Sequence, residues 1–280
     1  MVDFASDSIL ALLPAIFPTE NKVKLKGEFD AIDKIQKLTR EIKTGLTLST
    51  HELDQHLHLL KENLGSYYDR HGSYMYEYDE DDKVNISKPN SDARENKSKW
   101  DEFKLEEMRL SELIYVSYYH CTENTKELAY YVSFLITDED MRDTFNTGAG
   151  AHKLQSRKLR SKQLEVCNRI LYVYELQLDQ RYRRMGIGYD ILNTLLPQVL
   201  NAHVQNEQVE RDPDAIGKLG NCAKIDKTVV EYIRAVQLCC FEDNHPAIGF
   251  YEEKCKFVNL FRSKRLQNGH FYIFNKDIIP

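Results

Sequence analysis

No run of apolar residues in the chain reaches the ~18–20 needed to span a bilayer, so neither a membrane protein nor a membrane partner is expected. Its content, 42% hydrophobic and 29% charged, is that of a soluble globular protein. A secretory leader is not expected either. The apolar stretch Ile9 to Phe17 is interrupted by proline and follows Asp3 and Asp7 instead of basic residues, and Val2 stands where myristoylation would need glycine. The six cysteines, Cys121, Cys167, Cys222, Cys239, Cys240 and Cys255, form no CxxC pair and no regular framework, which points to a reducing compartment, cytosol or nucleus. Excess positive charge is missing as well. The formal net charge is −6, with acids gathered at Glu77 to Asp82 and Asp101 to Glu107, which speaks against direct nucleic-acid binding and for tolerance of a cationic partner. Acidic surface also serves plain solubility.

At 280 residues the chain suits one domain with a substantial extension. Apolar residues three apart at Phe29, Ile32, Ile35 and Leu38, then three or four apart at Leu53, Leu57, Leu60 and Leu64, predict two amphipathic helices in residues 21–66. Residues 72–98 lose this periodicity around Pro89 and read as an exposed insertion. Leu113 to Tyr119 and Leu128 to Thr137, joined by a polar turn, predict a β-hairpin, and Asp140 to Asn168 reads as a basic connector. Ile170 to Leu178 is a further strand, followed by a glycine turn and an apolar helical run from Ile191 to Leu200 that Pro197 should kink. After a polar insertion from Val204 to Tyr232 come a strand at Ala235 to Phe241, a short helix at Pro246 to Lys254 and a hairpin at Phe257 to Phe274.

The strand, glycine turn and helix around Arg183-Arg184-Met185-Gly186-Ile187-Gly188 suit a pyrophosphate. Glycines allow close approach of backbone N–H groups, and a helix N-terminus adds unpaired donors with partial positive charge. Two glycines before a helix can equally make a simple turn. A dinucleotide fingerprint would need a third small residue at Ile191, and a P-loop would need Lys-Ser or Lys-Thr at Tyr189-Asp190; both patterns fail. Arg183, Gly186 and Gly188 do match R/Q-x-x-G-x-G/A, the cofactor signature of the GNAT superfamily, and Asn244 to Tyr251 followed by Phe257 resembles that family's second cofactor segment. Leu171-Tyr-Val-Tyr-Glu-Leu-Gln-Leu178 resembles the LYxYExQL strand of its NatD group, N-terminal acetyltransferases for histones. Trp100 with Lys104, Glu107 and Met108, and Leu60 to Leu64 with Tyr68, are similar to the same group. The likeness spans Leu57 to Tyr272 with three insertions.

The resemblance implies an α/β GNAT acyltransferase fold, a mixed sheet splayed near Glu175 and flanked by helices. A helical N-terminal segment (1–71), the insertion (72–98) and an acetyltransferase core (99–280) would make up the chain. It implies acetyl-coenzyme A as cosubstrate, with Leu176, Gln177, Leu178, Arg183, Arg184, Met185, Gly186, Ile187, Gly188, Tyr189 and Asn244 around it and no metal. It places Tyr68, Val116, Tyr174, Cys239 and Tyr272 around the substrate, and implies histone four and histone two-A tails, which begin Ser-Gly-Arg-Gly, as partners in nucleus and cytoplasm.

On the residues alone, Tyr172 and Tyr174 share one face of a strand while Glu175 points to the other, unless a bulge intervenes. GNAT folds carry such a bulge. With it, Glu175 becomes a candidate base for the substrate amine, with Tyr172 and Tyr174 assisting; without it, the tyrosines are an ordinary half-buried sheet face. His51-Glu-Leu-Asp-Gln-His56 has one residue too many for HExxH, so no metal site follows, and Cys239-Cys240 has no sequence-placed base and reads as core packing, with Cys239 at the pocket. A GNAT enzyme acting on lysine or small amines, or a catalytically silent module that binds coenzyme A or histone tails, stays open as an alternative.

Overall fold

A computed structural model describes residues 4–25, 34–75, 100–137, 166–201, 230–261 and 271–277. In chain order these form α1 (Phe4–Ile16), β1 (Glu20–Leu25), β2 (Lys34–Thr44), α2 (Thr50–Met75), α3 (Trp100–Met108), β3 (Ile114–Cys121), β4 (Lys126–Thr137) and β5 (Val166–Leu178). There follow α4 over residues 187–201, β6 (Val230–Phe241), α5 over residues 245–254, β7 (Val258–Phe261) and β8 (Phe271–Asp277). The strands make one eight-stranded sheet in the order β1-β2-β3-β4-β5-β6-β8-β7. Among the described residues β5 and β6 are its one parallel pair. This is the mixed sheet flanked by helices that the fold expectation named.

Where it falls in the described residues, at Ile35 and Leu38, the first of the two expected helices is instead a strand; Phe29 and Ile32 lie outside them. From Ile35 to Leu38 the side chains alternate out and in, with Ile35 68% exposed and Gln36 and Leu38 buried, so the period is two and the apparent spacing of three is accidental. β1 and β2 pair with each other and β2 pairs with β3, so this part of the N-terminal segment extends the sheet, while α1 and α2 pack on it as helices. The second expected helix is α2, whose Leu53, Leu57 and Leu60 are buried. It opens on a capping box: Ser49 N–H and Oγ donate to Glu52 Oε2 at 2.9 and 2.8 Å, and Glu52 N–H donates back to Ser49 Oγ at 3.3 Å. α2 runs to Met75, past the expected start of the insertion. α1 was not foreseen, because Pro14 lies inside it; Arg40 of β2 donates to the carbonyls of Pro14 and Phe17 at its C-terminal end.

The expected β-hairpin is β3–β4. β5 and β6 begin earlier than expected, at Val166 and Val230, while most of the basic connector, most of the polar stretch before β6 and nearly all of the insertion at 72–98 lie outside the described residues. In α4 a π turn at Ile191–Leu195 precedes Pro197, where the ring removes a donor and crowds the carbonyl four residues back.

Apolar side chains pack on both faces of the sheet. Ile9 and Leu13 of α1, Phe17 just after it, and Ile191, Leu192, Leu196 and Val199 of α4 pack with Val116, Val132, Leu171 and Val173. Leu53, Leu57, Leu60 and Tyr68 of α2, with Trp100 and Met108 of α3, pack with Tyr115, Tyr119, Tyr131 and Phe241. Burying each such side chain contributes on the order of 1.5–3 kcal/mol.

Candidate active site

Ser133 of β4 faces Glu175, but the next residue, Phe134, faces Val173, so Tyr174 is an extra residue in β5. This bulge shifts the alternation by one. Val173 and Leu176 pack in the cluster with α1 and α4, while Tyr172, Tyr174, Glu175 and Gln177 come to the opposite wall. Register with β6 ends at Val173↔Leu238; beyond the bulge Glu175 to Leu178 pair with β4 alone and Cys239 to Phe241 with β8 alone. The strands part there and open a cavity of about 1050 Å³. Alternate backbone groups of this half of β5, which has no partner on its β6 side, face it.

Glu175 is 7% exposed and takes donors on both oxygens. Lys104 Nζ lies 2.7 Å from Oε1 and Tyr68 Oη donates to the same oxygen at 3.2 Å; Gln177 Nε2 donates to Oε2 at 2.7 Å. Lys104 also meets Glu107 Oε2 at 3.0 Å. Trp100 stacks on Tyr68 with ring centroids 4.6 Å apart and donates to Asp69 at 2.8 Å, so it is a core residue that seats Tyr68. Burial, then the Glu175 charge, pushes the Tyr68 hydroxyl up. Burial pushes Tyr172 well above the ordinary tyrosine range, with Cys239 beside it adding to the shift, and burial raises the Cys239 thiol. All three are therefore neutral at physiological pH, hydrogen-bonding groups and not bases.

At the far end of the cavity Gly186 adopts φ +83° and caps the start of α4, and a side-chain carbon placed on it would meet nothing within 4 Å. Such a carbon on Gly188 would lie 3.3 Å from Phe250 Cζ of α5, so this position keeps the loop tight against that helix. The N–H groups of the first turn of α4 are left for a ligand. An anionic pyrophosphate fits this cradle, and Arg184 lines it. Arg183 is turned elsewhere: its Nε donates to Leu178 O at 3.2 Å and its Nη2 to Asn63 Oδ1. Asn244 caps α5, its side-chain oxygen accepting from Ala247 N–H at 3.4 Å, which leaves its Nδ2 donors to reach a ligand.

Of the residues the sequence put forward, Tyr68, Tyr172, Tyr174, Glu175, Leu176, Gln177, Leu178, Arg183, Arg184, Gly186, Ile187, Gly188, Tyr189, Cys239 and Asn244 line this one cavity. Three do not. Val116 is fully buried on the other face, against α1 and α4, because it alternates with the site-side Tyr115. Tyr272 is turned to that same cluster and its neighbour Phe271 takes the place at the cavity, again by strand alternation. Met185 packs toward the core beside α4. Sequence reasoning assigned no role to Lys104 or Asn63, although both stand in the motif segments, and gave Gln177 to the cofactor; Gln177 lines the cavity and its side chain donates to Glu175. His56 is fully buried, with its ring nitrogens 2.6 Å from Glu52 O and 2.8 Å from Ser117 Oγ. Among the described residues no group of three or more His, Cys, Asp or Glu could hold a metal ion.

No family model matches the chain and no curated protein matches it. Solved structures do. NAA60 of Arabidopsis thaliana in complex with a bisubstrate analogue is 15% identical, over 86% of this chain and 100% of that one, with a TM-score of 0.41. An acyl-CoA N-acyltransferase from Pseudomonas aeruginosa is 12% identical, over 85% and 99%, with a TM-score of 0.35. The NatC complex bound to Gag peptide and CoA is 10% identical, over 85% and 98%, with a TM-score of 0.33. At this level neither activity nor substrate passes to the present chain, and the fold class rests on the strand order, the parallel β5–β6 pair and the splay beyond Val173.

Proposed function

We propose that the chain is a GNAT acyltransferase of the NatD type, which acetylates the free N-terminal amine of histone four and histone two-A tails in the nucleus and cytoplasm. The observation that carries this reading is the bulge at Tyr174, which sets Tyr172, Tyr174 and Glu175 on one wall of a cleft whose other end is the glycine cradle of α4. When bound, acetyl-coenzyme A would supply an activated acyl group as a thioester. Gly186, Ile187, Gly188 and Tyr189 would hold its pyrophosphate, with Arg184 adding charge, and Asn244 Nδ2 its pantetheine arm.

The chain's own residues then act on the amine. An α-ammonium titrates near 7.7–8.0, so it need lose only one proton to become a nucleophile. Glu175 accepts that proton directly or through water, while the neutral hydroxyls of Tyr68 and Tyr172 orient groups around it. Backbone N–H groups of the splayed half of β5 face the place where oxyanion charge would develop. Glu107, partly exposed at the cleft, suits a substrate that carries arginine shortly after its terminus.

A Ser-Gly-Arg-Gly peptide with a free or a blocked N-terminus, incubated with acetyl-coenzyme A and weighed by mass spectrometry, tests this reading. One acetyl group should appear on the free peptide alone. Modification of a blocked, lysine-containing peptide would shift the activity to side chains. Cofactor binding without any turnover would leave a silent binding module.

A further inference from the structure

The hydrogen bonds that reach the second oxygen of Glu175 form a chain with one direction. Arg183 Nη2 donates to Asn63 Oδ1. Asn63 Nδ2 donates to Gln177 Oε1 at 2.9 Å and to Leu178 O at 3.1 Å, and Gln177 Nε2 donates to Glu175 Oε2 at 2.7 Å. A guanidinium can only donate and a carboxylate only accepts, so the two ends fix both amides between them. Turning either amide over sets oxygen against oxygen on one side and donor against donor on the other. Gln177 is 4% exposed, which leaves little room for water to repair a broken link.

Resting on the reading of Glu175 as proton acceptor, we propose that Asn63 and Gln177 are positioning residues. They hold the Glu175 carboxylate toward the incoming amine through a one-way chain anchored, through Arg183, on the cofactor loop. Arg183 then serves this chain and the end of β5, and the phosphate contacts fall to its neighbours. Three elements meet in the chain: the loop before α4, the middle of α2 and the splayed half of β5.

Asn63→Asp tests it with almost no change of shape. The new carboxylate still accepts from Arg183 but cannot donate, so the Gln177 amide turns toward it and presents an oxygen to Glu175. kcat should fall by up to ~10²-fold, the scale of a small misplacement at a reacting centre, while the affinity for acetyl-coenzyme A stays within about twofold. The pH profile of kcat should change with it, because the carboxylate loses a donor and gains a negative neighbour. The other groups around Glu175 are the same in both enzymes: Tyr68 on α2, Lys104 and Glu107 on α3, Tyr115 on β3, Tyr131 on β4, Tyr172 and Tyr174 on β5, and Tyr251 on α5. Gln177→Met, which removes the last donor, should behave alike if Asn63→Asp fails to fold. In a Glu175→Gln background neither substitution should lower kcat further. Losses that multiply in an enzyme that needs Glu175 would overturn the chain alone. A Glu175→Gln enzyme with near-normal kcat would overturn the base reading and this proposal together.

Discussion

At the scale of single residues, the site is a carboxylate held almost out of water by a lysine. Lys104 and Glu175 have side chains 4% and 7% exposed, so each charge depends on the other. Lys104→Met should destabilise the protein by about 3–5 kcal/mol in denaturant unfolding, as expected when one partner of a buried pair is removed. Adding Glu175→Gln to that variant should restore much of the loss, since no unpaired charge remains. Glu175→Gln alone should lower kcat by ~10²–10⁴-fold, with a defect that shrinks at high pH where the amine is already neutral. Glu175 was legible because it sits in a recognisable strand next to the glycine turn. The role of Lys104 was not. It reaches Glu175 from α3, far away in sequence, and no local periodicity links a helix to the strand it will cover.

Among the elements, legibility followed the strength of the local pattern. β3, β4 and β5 were readable from β-branched and aromatic runs bounded by turns, and α2 from its leucine stripe. β2 was misread because four apolar residues at spacing three, of which Ile35 and Leu38 fall in the strand, fit a helix, and pairing with β1 and β3 decided the matter. Val116 and Tyr272 were misplaced for a related reason: on a strand an error of one position moves a side chain to the opposite face. The loop before α4 gives a sharper expectation. Gly188→Leu must push into Phe250 and fill the cradle, so calorimetric affinity for acetyl-coenzyme A should fall at least ~10-fold while thermal stability changes little. Unchanged affinity would remove this loop from the site.

For the whole molecule, stability against acid should depend on a group remote from the reaction. His56 is caged by Tyr115, Tyr119 and Tyr131 and its pKa is lowered to about 4, chiefly by burial. Its native form is neutral, whereas the unfolded chain protonates it near 6.5. Below that value the unfolded state binds the extra proton, so the contribution is whole above pH ~6.5 and declines until the pH reaches about 4, by roughly 3 kcal/mol in all. Lys43, Ser49 and Lys126 outweigh the opposing effect of burial at Glu52 and hold its carboxyl below the usual range, so its own contribution fades only at lower pH. Denaturant unfolding from pH 7 to 5 should therefore show a slope that His56→Asn removes.

The parting of β5 from β6 beyond Val173 also divides the protein in time. Amides locked between paired strands trade their hydrogens with solvent only when the sheet opens, whereas alternate amides along Tyr174 to Leu178 have no strand to hold them on the cleft side. A single strand thus carries a slow-exchanging stretch, Ile170 to Val173, held on both sides, and a fast one. Deuterium entering the fast half marks the empty cleft, and a ligand that bonds those amides closes it to exchange.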